Sequence, residues 1–228
     1  MLCHLQDRFS LLLLTMTSEN FLLHAPSGDR GGKEEAAMGF KDIVAKNRSY
    51  RRFYQEHEIP EKILRDLVSL ARLTPSAANR QPLRYVLSVQ PERNAAIFRH
   101  IAWAAYLSDW PGPAEGERPS AYIIILNDTA ISKTVDCDHG IVAQTMLLGA
   151  VDAGLGGCMI GAIRKEGLRA ALNIPEKYDI LLVLALGRPK ETITIEPVGP
   201  EGDIRYWRDR ADAHHVPKRS LDELILDL

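Results

Sequence analysis

The stretch Asn47-Arg-Ser-Tyr-Arg-Arg-Phe53 places three cationic side chains and two hydroxyls within seven positions. It follows a short amphipathic run, Phe40 to Lys46, and precedes a helical pattern that opens at Pro60. Cations are common in the last turn of a helix, where they meet its negative end. Arginine also binds phosphate in a bidentate manner, and a serine hydroxyl adds a hydrogen bond. The stretch is therefore either a helix end or a phosphate clamp.

Three later stretches bear on the same question. Leu73-Thr-Pro-Ser-Ala-Ala-Asn-Arg-Gln-Pro-Leu-Arg84 lies between a predicted helix and a predicted strand, and Gly154-Leu-Gly-Gly157 and Leu186-Gly-Arg-Pro189 follow. In this order and at these distances, the four stretches resemble the FMN-dependent nitroreductase family, from about Phe40 to the C-terminus. One position departs from the family pattern: many members have Arg-Arg-Ser where this chain has Asn47, which shifts phosphate binding towards Arg48.

The order of predicted helices and strands does not alternate strictly, so a doubly wound parallel sheet is not indicated. The resemblance implies an α+β, three-layer fold in which helices flank a mixed, mainly antiparallel sheet. It also implies a homodimer that exchanges a C-terminal arm and holds two FMN. The tail from Glu191 has few core-like positions, which favours such a dimer.

A helix is predicted from Pro91 to about Ala105.

The activity that the resemblance implies is transfer of electrons from NAD(P)H through FMN to an electron-poor acceptor, such as a nitroaromatic or a quinone, in two steps. Arg48 and Ser49 would hold the phosphate, and Lys218 or Arg219 would close on it. Arg51 would lie near the flavin N1 and O2 edge, where negative charge develops on reduction. No side chain stands out as an acid or base catalyst, so no catalytic residue is predicted.

The Pro75-Ser76 turn leads to two amide side chains, Asn79 and Gln81. These amides could satisfy the backbone of the turn. They also match the donors and acceptors of the flavin pyrimidine edge. The resemblance favours the second interpretation, with Asn79 as the better candidate.

The glycine-rich stretch that begins at Gly154 does not fit a dinucleotide-binding fingerprint. The third glycine of that pattern would fall at Met159, and the stretch follows a helix and enters a strand, the reverse of the required order. Glycine permits the tight turn. By resemblance, the backbone that follows the turn lies along the flavin, and one of its N–H groups bonds N5; the residues concerned are Cys158, Met159, Ile160 and Gly161.

Composition sets further limits. The chain has 228 residues, a net charge of −2 and three cysteines. One domain is the simplest organisation, and the near-neutral charge gives no indication of nucleic-acid binding. The unpaired cysteines fit a reducing compartment, which predicts a cytoplasmic protein. No apolar run approaches the roughly 18 residues of a membrane helix.

Residues 1–37 differ in character from residues 38–228, which we assign as the FMN-binding domain. The short apolar run from Leu11 to Leu14 suggests a signal peptide, but Asp7 is misplaced for one. We favour a disordered leader or a start codon assigned too far upstream, with Met16 and Met38 as alternatives.

Two clusters could be mistaken for metal sites. The residues of Asp136-Cys-Asp-His139 point to different faces of their element, and Asp138 is better interpreted as the N-cap of the next helix. His214 and His215 are adjacent, and no third ligand occurs at a usual spacing. No metal is predicted.

Trp110 and Trp207 lie in loop-like sequence and need a partner, either a subunit interface or a flat substrate under an aromatic lid. Two alternatives to the main activity remain. A dehalogenase or flavin-cleaving relative would use the same scaffold, and a flavin-binding protein without turnover would bind FMN but oxidise nicotinamide slowly.

Overall fold

The computed structural model describes residues 38–228, and the predicted leader lies outside this range. Within it, the α-helices are α1 (Phe40–Lys46), α2 (Glu61–Ala71), α3 (Pro91–Phe98), α4 (Asp138–Asp152), α5 (Lys165–Leu172) and α6 (Leu221–Leu224). The strands are β1 (Phe53–Tyr54), β2 (Leu83–Ser88), β3 (Ala121–Asp128), β4 (Gly156–Ile160), β5 (Tyr178–Pro189), β6 (Ile193–Pro197), β7 (Trp207–Arg208) and β8 (His214–Lys218). None of the helices in the described range is long and apolar enough to span a bilayer.

The main sheet is built around β5 and β3. Its strands run in the order β1-β5-β3-β2, and β4 also pairs with β5. Every one of these pairings is antiparallel. A smaller sheet in the tail has the order β6-β8-β7 and contains one parallel pair, β6 with β8.

Strand β3 explains the layered architecture. All eight of its residues are buried, and successive side chains of a strand point to opposite faces. Ile123 and Ile125 pack with residues of α2 and α4. Tyr122 and Ile124 pack with residues of α3 and α5. The sheet is therefore covered by helices on both faces, which confirms the predicted three-layer α+β fold.

Helix α3 is shorter than predicted, since it ends at Phe98 rather than near Ala105. Ile101 forms a bridge with Ile163, and the N–H of Ala102 donates to the carbonyl of Ala162 over 2.9 Å. These contacts use backbone groups that a longer helix would have paired internally, because tertiary hydrogen bonds compete with helix propagation.

The tail from Glu191 forms ordered strands that the sequence pattern did not predict. Strand β8 is central in the small sheet and pairs with both β6 and β7. The contacts described here are those within one chain, so the exchange of an arm between two copies stays a prediction.

Candidate active site

The segment from Arg48 to Arg51 runs beside β4. The N–H of Tyr50 donates to the carbonyl of Gly157 over 3.0 Å, and Ser49 forms a bridge with the same glycine. A Cβ on Gly156 would lie 2.5 Å from the Tyr50 ring. Glycine at this position therefore allows two distant stretches of the sequence to meet.

The cationic side chains of this segment are held by backbone carbonyls. Arg48 donates through Nη2 to the carbonyl of Val44 over 2.9 Å, and Arg51 donates through Nη1 to the carbonyl of Ser49 over 3.2 Å. Within residues 38–228, the Nε of Arg48 is buried without a hydrogen-bond partner, while Ser49 is exposed. A guanidinium group beside an exposed hydroxyl, as at Arg48 and Ser49, is a donor set that suits a phosphate.

Tail residues contact Arg51 from the other side. Its Nη1 lies 3.2 Å from Nε2 of His214, and its Cζ lies 4.9 Å from the centroid of the Tyr206 ring. Burial, with the charges of Arg51 and Arg208, lowers the pKa of His214 to about 4. His214 is therefore neutral at pH 7, so its Nε2 can accept a hydrogen bond from Arg51.

A buried carboxylate joins the tail to the same segment. The Glu191 side chain is fully buried and pairs with Nη2 of Arg208 over 3.0 Å. It also accepts hydrogen bonds from the backbone N–H groups of Arg51 and Arg52. An unpaired buried carboxylate would cost several kcal/mol, and these three donors offset that cost.

No sequence pattern indicates a role for Glu191, and the His214-His215 pair suggested only a metal site, which we rejected. Their partner Arg51 lies 140 and 163 positions away along the chain, respectively. No local pattern signals contacts over such distances.

A second ion-pair cluster fixes the end of the segment. Arg52 donates to both oxygens of Glu117, over 2.6 and 2.8 Å, and Lys190 adds a contact of 3.0 Å. The hydrogen bond from Arg52, followed by that from Lys190, lowers the pKa of Glu117 to about 2 despite partial burial. Glu117 is therefore ionised at neutral pH and holds the segment against the loop before β3.

The turn from Pro75 to Gln81 is built on a buried aspartate. Asp138 accepts from the Ser76 hydroxyl over 2.6 Å and from the N–H of Ala77 over 3.1 Å. The Ser76 oxygen in turn accepts from the N–H of Gln81 over 2.9 Å. The interpretation of Asp138 as an N-cap was wrong: Cys137 occupies that position, because the Asp138 carboxylate is used by the turn.

The amides after this turn contact each other, with Nε2 of Gln81 donating to Oδ1 of Asn79 over 3.0 Å. Ala78, Asn79 and Gln81 all have positive φ values, between 50° and 53°. Non-glycine residues rarely adopt this region, which is typical of strained or functional backbone. A cavity of about 500 Å³ opens beside the turn, lined in part by Pro75, Ser76 and Gln81.

Strand β4 carries the residues predicted to lie along the flavin. The side chains of Cys158 and Ile160 are buried in the core with α3 and α5, and burial raises the pKa of the Cys158 thiol. Met159 is half-buried against the opposite core. Gly161 has open space where a side chain would be. The side chains are thus used for packing, and the backbone beyond Ile160 is accessible.

The remaining predicted residues contact residues of the tail, which starts at Glu191. Lys218 pairs with Pro197 at the end of β8, and Arg219 lies 3.4 Å from Glu223. Trp207 stacks on His215 with a centroid separation of 4.1 Å, and its Nε1 donates to Glu196. The Trp110 ring lies under the guanidinium of Arg208, 4.3 Å from its Cζ.

The predicted residues thus form two groups. In the first group, the segment from Arg48 to Arg51 meets β4 at Gly157, the residue before Cys158. The second group gathers around Asp138 and consists of Pro75, Ser76, Asn79 and Gln81. The first group is held by β4 and by the tail, whereas the second is held by Asp138 and by hydrogen bonds within the turn.

Comparison with known proteins bears on the family and the fold of the chain. The nitroreductase family pattern matches residues 44–188. A protein of Methanothermobacter thermautotrophicus, provisionally named NADH dehydrogenase/NAD(P)H nitroreductase, is 28% identical over 68% of this chain and 79% of its own length. A 5,6-dimethylbenzimidazole synthase of Rhodospirillum rubrum is 24% identical over 74% of this chain and 88% of its own.

A solved structure has the same fold. An FMN-dependent nitroreductase from Clostridium difficile superposes with a TM-score of 0.54 and 20% identity, covering 65% of this chain and 87% of the other. The fold, the order of the motifs and the extent of the family match lead to one conclusion: the chain belongs to the nitroreductase family.

Proposed function

We propose that the chain is an NAD(P)H-dependent flavin oxidoreductase that binds FMN and reduces an electron-poor acceptor, such as a nitroaromatic or a quinone. The observation that carries the proposal is the meeting of the Arg48–Arg51 segment with β4 through Ser49 and Gly157. Membership of the nitroreductase family supports it, as does the name of the FMN-dependent structural neighbour.

The phosphate of the cofactor is assigned to Arg48 and Ser49. The unpartnered Nε of Arg48 supports this assignment, because a buried donor without an acceptor costs about 1–3 kcal/mol. Lys218 or Arg219 adds a further cation if the tail closes on the same group. Since Asn47 cannot supply a charge, Arg48 takes the larger share of phosphate binding.

Bound FMN would supply the redox chemistry, taking a hydride from NAD(P)H and passing the electrons to the acceptor after the nicotinamide leaves. Arg51 contributes a fixed positive charge beside the flavin edge where negative charge develops, which stabilises the reduced form. Neutral His214 holds the guanidinium in place without adding a competing charge. The backbone of β4 and Gly161 would supply N–H groups to the flavin, and the family resemblance implies that one of them would bond N5.

In this proposal each FMN site is shared between two subunits. One subunit supplies the segment from Arg48 to Arg51, and the other supplies the residues around Asp138. Several apolar side chains near the C-terminus support a dimer, since Leu221, Leu224, Ile225 and Leu226 are each more than 60% exposed. Exposed apolar clusters of this kind mark interaction surfaces. An arm that packs on a second copy would cover them and bring two FMN sites into one homodimer.

The cheapest test is the visible spectrum of the purified protein, followed by an assay of NAD(P)H oxidation with a quinone or nitroaromatic acceptor. Flavin absorption bands and acceptor-dependent turnover are expected. A colourless protein that cannot be reconstituted with FMN would refute the proposal.

A second candidate function is a reaction that cleaves the flavin, carried out on the same scaffold. It is favoured by the relative named 5,6-dimethylbenzimidazole synthase, which matches over 191 residues. The same assay separates the two candidates. Acceptor reduction consumes NAD(P)H in proportion to the acceptor and leaves the flavin intact, whereas a reaction that cleaves flavin destroys the chromophore.

A further inference from the structure

Three arginines from three different elements line the cavity beside the Pro75–Gln81 turn. They are Arg72 at the end of α2, Arg80 in the turn and Arg84 in β2. Within the described range, Arg72 and Arg80 form no ion pair, and Arg84 lies 3.8 Å from a carboxylate oxygen of Asp128. Because these three arginines lie apart in the sequence, the fold brings them to one cavity and a run of basic residues does not.

The cavity contains little negative charge to balance these arginines. Among residues 38–228, Asp138 is the one carboxylate that lines it. Its oxygens are already used by the hydroxyl of Ser76 and the N–H of Ala77. The whole chain carries a net charge of −2, so the positive cavity is a local feature. A concave site lined by one sign of charge attracts the opposite ion.

Apolar side chains form the rest of the wall, including Leu83, Tyr85, Ile131 and Val142. The volume of about 500 Å³ is suitable for a small organic molecule. Guanidinium groups bind carboxylates and phosphates through paired hydrogen bonds. The cavity therefore suits a ligand with an apolar body and one oxyanion group.

We propose that this cavity binds the oxyanion of the electron acceptor, so that the preferred acceptors are small anions with an aromatic or other apolar body. The inference rests on the proposed function, because Pro75, Ser76 and Gln81 line the same cavity and are assigned to FMN. The FMN phosphate itself is assigned elsewhere, to Arg48 and Ser49. Arg72 and Arg80 are binding groups for the acceptor and take no part in holding the flavin.

The test compares 4-nitrobenzoate with its neutral counterpart, 4-nitrobenzamide, in steady-state assays of the FMN-loaded enzyme. The double variant Arg72→Gln/Arg80→Gln should lower kcat/KM for 4-nitrobenzoate by about tenfold or more, mainly through KM. The value for 4-nitrobenzamide should change by less than about twofold, since no charge-assisted contact is lost. At saturating NAD(P)H, added salt should weaken the reaction of the anion more than that of the neutral acceptor.

Arg93→Gln is the matched control, because Arg93 is an exposed arginine on α3 and does not line the cavity. It should leave both acceptors unaffected. Equal losses for the two acceptors in the double variant, or no loss for either, would overturn the proposal. A fall in FMN affinity would reassign the arginines to the FMN phosphate, and a selective loss of NADPH over NADH as donor would reassign them to its 2′-phosphate; either result also overturns it.

Binding without turnover keeps this inference separate from the proposed function. Calorimetry with the full chain and no nicotinamide should detect tighter binding of 4-nitrobenzoate than of 4-nitrobenzamide, and the double variant should abolish the difference. Equal affinities in the unmodified protein would refute the anion site even if the enzyme turns over. A protein that selects the anion but neither binds FMN nor oxidises NAD(P)H would instead refute the proposed function.

Discussion

The buried carboxylate of Glu191 accepts a hydrogen bond from the backbone N–H of Arg51, which lies 140 positions earlier in the chain. The same carboxylate pairs with Arg208 in β7. One side chain therefore ties the tail to the segment assigned to the flavin phosphate and ring edge. The position of Arg51 depends on the tail through this contact and through His214.

Replacing this carboxylate should destabilise the fold. Glu191→Gln keeps the shape but removes the charge, which leaves the half-buried Arg208 with only its longer contact to Asp212, at 3.9 Å. We expect a loss of about 3 kcal/mol in the free energy of unfolding, measured by urea denaturation, together with weaker FMN binding. Glu201→Gln is the control, because Glu201 is exposed. Equal stability of the two variants would contradict the role given to Glu191.

Arg51 is expected to set both the affinity and the potential of the flavin. Arg51→Ala removes a charge-assisted contact, which should cost roughly 1.5–3 kcal/mol of FMN binding and lower the reduction potential. A redox titration at saturating FMN measures the second effect, and Arg51→Lys, which keeps the charge, should restore much of it. An unchanged potential at full FMN occupancy in Arg51→Ala would exclude Arg51 from the flavin edge.

Protonation of His214 should destabilise the folded chain in mild acid. Its folded pKa of about 4 lies below the ordinary value of 6.5, so the unfolded chain binds the proton more readily. Stability from this group is complete above pH 6.5 and is lost as pH falls towards 4. We expect a loss of about 3 kcal/mol across this window, measured by urea denaturation at several pH values.

The variant His214→Gln should lack that part of the pH dependence, because glutamine is neutral throughout the window. The hydrogen bonds of His215 to Asp209 and Glu196 raise its pKa, so its contribution has the opposite sign, but it is present in both proteins and cancels in the difference. His57→Gln, at an exposed position, should behave like the unmodified chain. Identical pH profiles for His214→Gln and the unmodified chain would show that His214 is not buried in its neutral form.

Residues 1–37 are expected to add nothing to the FMN-binding domain. A chain that begins at Met38 should bind FMN with the same affinity and unfold at the same temperature as the full chain, because the family-like sequence starts near that residue. Thermal denaturation and flavin titration of the two chains provide the comparison. A clear loss of stability or of flavin on removal of these residues would mean that they pack on the domain.

Sequence motifs, through their resemblance to the nitroreductase family, predicted the fold class and the candidate residues for the cofactor. The apolar run of β3 and the helical spacing in α2 and α4 depend on local periodicity, which is readable without long-range contacts. The glycine-rich stretch that begins at Gly154 was recognisable as a turn from its local sequence. The steric reason for Gly156, the first residue of β4, is the close approach of the distant Tyr50, which the local pattern does not show.

The contacts that hold those residues depend on the folded chain. Glu191 and His214 carry no local signal, yet they position Arg51, since burial and long-range hydrogen bonds determine which atoms they meet. Asp138 resembled a helix cap, but its carboxylate satisfies the Ser76 turn instead. Arg72, Arg80 and Arg84 are unremarkable in sequence, and folding brings their charges to one cavity. Hydrogen bonding and charge act over distances in space, whereas sequence patterns report only distances along the chain.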